Sequence, residues 1–225
     1  GDVFVAGERV FRFNLQPERD QRFPAFVNLQ QFYVEQYLVE AIAGTAAIDL
    51  RWKNRVVDVA QHDDHVALTV ETPGGRYALR ARYVVGADGG HSVLREKLGA
   101  RDAESALFEN HWCIADVRMP GAPGVVRKSY LDAPQNDGGA IWYHQMADGV
   151  WRTDWLISHY ENPEAEARPE RARERLRKLL GPETPFELVW VGPWRFRRRV
   201  LERLTHGRVF FLGDAAAQHS PFGAR

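Results

Sequence analysis

Two short stretches constrain this chain more than any other feature. YVVGADGG (residues 83–90) and VFFLGDAAA (residues 209–217) each carry an apolar, strand-like run into glycine and aspartate, then into small residues. An apolar run bounded by such punctuation reads as a buried strand. Glycine permits backbone angles and close approaches that other residues avoid, and a helix start beyond it presents unpaired N–H groups to an anion. An aspartate at that point can accept hydrogen bonds from sugar hydroxyls. The pair would suit a dinucleotide, with its pyrophosphate and polyol. A turn followed by a helix cap accounts for either stretch alone; the ligand-binding reading rests on both occurring, in this order, around an aromatic-rich region.

Elsewhere the pattern alternates between helix and strand. PAFVNLQQFYVEQYLVEAIAG predicts a helix over about Leu29–Ala43, with Phe32, Tyr33, Leu38, Ala41 and Ile42 near helical spacing. The following β-branched runs, separated by HDD and PGG, predict a meander of three strands feeding the one that ends at Asp88. From about Arg101 to Val200 the strands become aromatic-rich (HWCIADVRM, GAIWYHQM, VWRTDWLI, FELVWVGPWRF). One helical stretch, PERARERLRKLLG, interrupts them, with Ala172, Leu176, Leu179 and Leu180 on its apolar side. Strands in runs with a lone helix predict a mostly antiparallel sheet covered on one side.

Lys plus Arg and Asp plus Glu both number 30, so nothing points to nucleic acid. Arg171, Arg173, Arg175, Arg177 and Lys178 read as a solvated helix face interrupted by Glu170 and Glu174. The single cysteine, Cys113, excludes an internal disulfide framework and reads as a small buried apolar residue in a reducing compartment. No window approaches a membrane span and the N-terminus lacks signal-peptide character, so a cytoplasmic location away from membranes is expected. No spacing suggests a metal site, and His62 and His65 lie in a polar turn.

RYVVGADGGHSVLREKLG and RVFFLGDAAAQHSPFGAR resemble the DG and GD motifs of the class A flavoprotein monooxygenases, most of all the hydroxyphenylpropionate hydroxylase group. The likeness covers most of the chain and is weakest over residues 101–200. It implies an α/β (α+β) fold. Residues 1–100 and 201–225 would belong to a partial FAD/NAD(P)-binding domain, and residues 101–200 would form a mostly antiparallel substrate sheet. It places Asp88 near the FAD pyrophosphate and the path of NADPH (or NADH), with Gly86, Gly89 and Arg95 in support. Asp214 would bind the ribityl chain, flanked by Gly213 and Ala215. Gln31, with Gln30 as an alternative, would touch the cofactor, and Pro221 and Gly223 would line the flavin ring beside the reaction centre. The implied activity is NAD(P)H-dependent hydroxylation of a small phenolic acid by oxygen, in a protein that can be a homo-oligomer.

Alternation along the middle strands makes Trp142, Tyr143, His144, Arg152, Asp154 and Trp155 wall candidates, although sheet aromatics also build cores. Arg152 corresponds to a family arginine near the flavin; Trp142, His144 and Asp154 would face substrate. Ala217 stands where the family has histidine and Ser220 where it has the first of two prolines. No GxGxxG occurs, so a glycine fingerprint is expected upstream and the chain alone is expected to bind FAD poorly and to be inactive. Halogenases and isoprenoid reductases share similar motifs, and a non-catalytic flavin-fold remnant remains open.

Overall fold

The computed structural model describes residues 1–14, 20–24, 26–120 and 126–220. The chain opens on a hairpin that its sequence pattern does not advertise. Strands β1 (Asp2–Val5) and β2 (Glu8–Arg12) are joined by Ala6 and Gly7, both at positive φ (47° and 85°), a turn that matches strand twist. Helix α1 (Gln31–Ala43) starts two residues later than expected and buries none of its residues. The anticipated meander is β3 (Arg55–Gln61), β4 (Val66–Thr72) and β5 (Gly75–Ala81), followed by β6 (Val84–Gly86) and the five-residue α2 (Val93–Lys97). Strands β7 (Asp102–Arg118), β8 (Arg127–Tyr130), β9 (Ile141–Gln145) and β10 (Val150–Ile157) come next. Then follow α3 (Pro163–Glu166), α4 (Pro169–Leu180), β11 (Glu187–Leu201), β12 (Thr205–His206), β13 (Val209–Phe211) and β14 (Ala217–Gln218). The fold is mixed α and β, dominated by strands. No described helix is long and apolar enough to cross a membrane.

Two compact units form: Gly1–Gly44 with Glu109–Arg195, and Thr45–Phe108 with the segment from Phe196 onward. These boundaries differ from divisions at residues 100 and 200. The first segment clusters with the aromatic-rich sheet because β1 pairs with β8, in parallel.

In the first unit the strand order is β2-β1-β8-β9-β10-β7-β11, with β8, β9, β10 and β7 successively antiparallel. Alternation divides its faces. Trp151, Thr153, Trp155 and Ile157 of β10 lie buried, and Cys113, Ala115, Val117, Ile141 and Tyr143 pack in the same core. Helix α4 completes it with Ala172, Leu176 and Leu179, one stripe at helical spacing. Tyr143 and Trp155 are therefore core, not wall; the Tyr143 hydroxyl donates to the Leu179 carbonyl at 3.0 Å, satisfying the end of α4. Burial pushes the Cys113 thiol up to about 12. Pro193 is tolerated in β11 because the strand is the edge of the sheet there.

The basic stretch of α4 departs from a solvated face at one position. Arg175 is buried, and its guanidinium donates to Glu161, to Glu166 (3.2 Å) and to Asn136 (3.4 Å). A charge taken out of water persists only with such partners.

In the second unit β6 and β13 are parallel, Val84 opposite Val209 and Gly86 opposite Phe211, with β12 antiparallel on the far side of β13. Val84, Leu94, Val209 and Phe211 pack with Val66, Leu68 and Val70 of the meander. Gly86 is held to glycine by this packing: a Cβ there would sit 3.0 Å from Leu94 Cδ1 and 3.1 Å from Phe211 Cδ1. Gly86→Ala is expected to lower stability by about 1–3 kcal/mol through overpacking. An unchanged urea midpoint would show that the neighbours yield freely.

Candidate functional site

Because β6 and β13 run side by side in the same direction, the loops carrying Asp88 and Asp214 leave from the same end of adjacent strands. Ligands of parallel sheets bind beyond those carboxyl ends. Gly89 (φ 80°) and Gly213 (φ 58°) turn the two loops in the left-handed region that glycine enters without penalty. Asp88 is exposed, and its Oδ2 accepts from Leu94 N at 3.2 Å while Ser92 Oγ accepts from Arg95 N at 3.0 Å. Asp88 thus caps α2, the plain structural role open to it, and keeps its other oxygen. Asp214 is exposed in a 3-10 turn, Gly213–Ala215, and its carboxylate has no hydrogen bond to a described residue. The helix expected after it does not open within the described residues. Instead Leu201 N donates to Ala216 O at 3.1 Å and β14 pairs Ala217 and Gln218 with Val200 and Arg199, so the end of β11 captures the backbone.

Arg95 ties the two loops together. Its Nη1 donates to the Ala215 carbonyl at 3.1 Å and its Nη2 to the Gly90 carbonyl, so one buried guanidinium spans both. Burial lowers its pKa, and the nearby Arg199 charge adds to the shift. Arg199 also donates to Gly90 O at 3.2 Å, and its Nε lies 3.0 Å from Asp102 Oδ2. A polar cleft of about 490 Å³ opens beside the first loop, where His91, Arg95, Arg197 and Arg199 supply cationic or hydrogen-bonding groups. Arg197 has no ion-pair partner within 4 Å among the described residues.

On the sheet of the first unit, the face opposite α4 carries a polar array. Cross-strand register lines up Asp116, Arg152, His144 and Arg127 in one row, and Ile114, Asp154, Trp142 and Ser129 in the next. Arg152 forks onto Asp116 at 2.9 and 3.0 Å, an interaction that raises the arginine pKa. His144 Nε2 lies 3.5 Å from Asp154 Oδ2, and the Trp142 and Trp112 rings stand 4.4 Å apart. Asp154 Oδ1 is buried without a hydrogen-bond partner. The array sets carboxylate, guanidinium and imidazole groups beside two indole rings.

Gln31 is exposed and donates to Glu35 at 2.7 Å. Gln30 is the buried one, exchanging bonds of 2.9 and 3.2 Å with the backbone of Ala147, while Tyr33 bonds the neighbouring Asp148. Pro221 and Gly223 lie outside the described residues.

A family model described as an FAD binding domain matches residues 3–225. The chain belongs to the class A flavoprotein monooxygenases. It is 32% identical over 193 residues to 3-(3-hydroxy-phenyl)propionate/3-hydroxycinnamic acid hydroxylase 2 of Burkholderia vietnamiensis, covering 85% of this chain and 34% of that protein. With para-nitrophenol 4-monooxygenase of a Pseudomonas species it shares 28% over 213 residues, covering 91% and 51%. Among solved structures, p-nitrophenol 4-monooxygenase from Pseudomonas putida superposes with a TM-score of 0.76 at 27% identity, covering 87% of this chain and 49% of the other. Aklavinone-11 hydroxylase, in a ternary complex with FAD and aklavinone, also gives 0.76, at 29% identity and coverage of 87% and 38%. The chain spans a third to a half of the curated relatives' length.

Seen as part of an FAD-binding fold, the candidate site contains residues that the sequence pattern leaves unmarked. Asp116 could have been found by alternation, since it shares the parity of Trp112 and Ile114 in β7. Arg199 carries no such signal, since its contacts with Gly90 O and Asp102 come from loops that meet only in the folded chain.

Proposed function

We propose that this chain serves an FAD-dependent monooxygenase that uses NAD(P)H and oxygen to hydroxylate a phenolic acid. The observation that carries the reading is the parallel pairing of β6 with β13, with Arg95 joining the loops beyond them. Exposed Asp214 offers two acceptor oxygens to a polyol, and the unpaired Arg197 offers charge to a dinucleotide phosphate, so the donor and acceptor set fits FAD and its nicotinamide partner. Bound FAD supplies the redox chemistry. The protein binds, orients and excludes water. Asp88 would lie by the FAD pyrophosphate and Asp214 would hold the ribityl chain, Arg152 is held in place by Asp116, and His144 with Asp154 would take hydrogen bonds from a ring hydroxyl. Gln31 would touch the cofactor, as the family resemblance implies.

Substrate-stimulated NAD(P)H oxidation by the protein carrying this chain, with product analysis under labelled oxygen, tests the reading. Hydroxylated product containing the label is expected. Failure of any phenol to stimulate oxidation, or product formed without oxygen, would end the proposal.

A further inference from the structure

Helix α1 meets its unit through polar ties at its start. None of its 13 residues is buried, and Phe32, Val34, Tyr37 and Leu38 are exposed. A helix of that length is marginal in water on propensity alone. Its first turn is nevertheless fixed. Gln30, the residue before the helix, is 6% exposed, and its amide answers both backbone groups of Ala147: Nε2 donates to the carbonyl at 2.9 Å and Oε1 accepts from the N–H at 3.2 Å. Committed to this contact, Gln30 makes no side-chain cap on its own helix. One turn on, the Tyr33 hydroxyl bonds Asp148. Ala147 and Asp148 belong to the tight turn between β9 and β10, where Asp148 and Gly149 stand at φ 59° and 67° and Val150 N donates to Ala147 O at 3.1 Å. Strand β10 then carries Arg152 and Asp154, and all these residues lie in one compact unit.

We propose that Gln30 is a positioning residue for the flavin: by fastening the start of α1 to the β9–β10 turn, it sets where Gln31 stands relative to the strand that bears Arg152 and Asp154. This rests on the reading of Gln31 as a cofactor contact. Gln31 has no such anchor of its own, being exposed and bonded only along its helix, to Glu35 at 2.7 Å. A binding group must be held within about 0.5 Å of its productive place to act, and the buried amide of its neighbour supplies that restraint. The chemistry of residue 30 is specified by Ala147, which offers a donor and an acceptor together. A glutamine amide answers both. A leucine fills similar space but leaves the Ala147 N–H without its partner, and a glutamate answers both groups only while its carboxyl is protonated.

Calorimetric FAD dissociation constants of the full-length apoprotein and its variants test this, with urea midpoints beside them. Gln31→Leu is expected to weaken FAD binding by about 5–10-fold, the worth of one hydrogen bond. Gln30→Leu should weaken it nearly as much, and the double variant no more than Gln31→Leu alone, because residues that act as a unit do not add. A role in stability alone would move the urea midpoint and leave the dissociation constants unchanged. Gln30→Glu gives a second signature. Burial raises its carboxyl pKa above the ordinary value of about 4.3, so FAD affinity should climb toward wild type as pH falls through the raised value, whereas Gln30→Leu stays weak at every pH. Losses that multiply in the double variant, or a Gln30→Leu variant that binds FAD normally, would overturn the positioning role while leaving Gln31 on the cofactor. If Gln31→Leu binds FAD normally, Gln31 is not a contact and the inference falls with it; if the wild type itself binds no FAD, the cofactor reading is wrong. Should Gln30→Leu fail to fold, the pH course of Gln30→Glu decides.

Discussion

Replacing Asp214 with Ala in the flavin-loaded protein is expected to weaken FAD binding by two orders of magnitude or more while leaving the fold intact. The carboxylate is exposed and makes no hydrogen bond to a described residue, so truncating it strands no buried partner. Each charge-assisted hydrogen bond to a polyol hydroxyl is worth about 1.5–3 kcal/mol. Loss of two gives roughly a hundredfold or more in affinity. Asp214→Asn, which keeps one acceptor oxygen, should fall between. Titration of the apoprotein with FAD reads the affinity, and the urea midpoint reads the fold. An Ala variant that binds FAD as tightly as the parent would remove Asp214 from the site.

Arg95→Met should act on both quantities at once. The guanidinium holds Gly90 O and Ala215 O together, and Met can fill much of its volume but bond neither carbonyl. The Ala215 carbonyl would be left to find water, at a cost of about 1–3 kcal/mol, whereas Gly90 O keeps its bond from Arg199 at 3.2 Å. Relief of the repulsion from Arg199 offsets part of this, so a net loss of about 1–2 kcal/mol is expected. FAD affinity should fall as well, because the loops bearing Asp88 and Asp214 lose their common tie. Arg95→Lys brings a point charge without the fork and is expected to secure one carbonyl but not both. A Met variant of normal stability would show that strand pairing alone sets the loops.

Much of this was readable beforehand, and the reasons are local. An apolar run closed by Gly and Asp is a short-range signal, so β6, β13 and the left-handed Gly89 and Gly213 follow from neighbours in sequence. Period-two alternation likewise separates Trp142, His144, Arg152 and Asp154 from Tyr143 and Trp155, although only the packing of α4 decides which face is core. The hidden items are long-range. Helical spacing puts Arg175 on the stripe of Ala172, Leu176 and Leu179, but its partners Glu161 and Glu166 lie before α4, so nothing within the basic stretch shows that a charge can be satisfied there. Gln31 looks like Gln30, and the choice between them depends on a turn more than a hundred positions away. The end of the GD loop went to β14 instead of a helix because β11 offers an unpaired backbone edge.

The Arg95 tie joins positions 120 apart along the chain, and that separation bears on how the protein reaches its folded state. Joining the ends of a long disordered loop costs entropy that must be met before the contact is rewarded, and such topologies fold slowly. Here the intervening Glu109–Arg195 belongs to another compact unit, and it enters on β7 and leaves on β11, which are neighbouring strands. Once that sheet has assembled, the loop to be closed is short, and β13 is delivered to β6 with little further search. The aromatic-rich unit would then act as an internal folding template, and core mutations in it should slow formation of a cofactor site to which they contribute no atom.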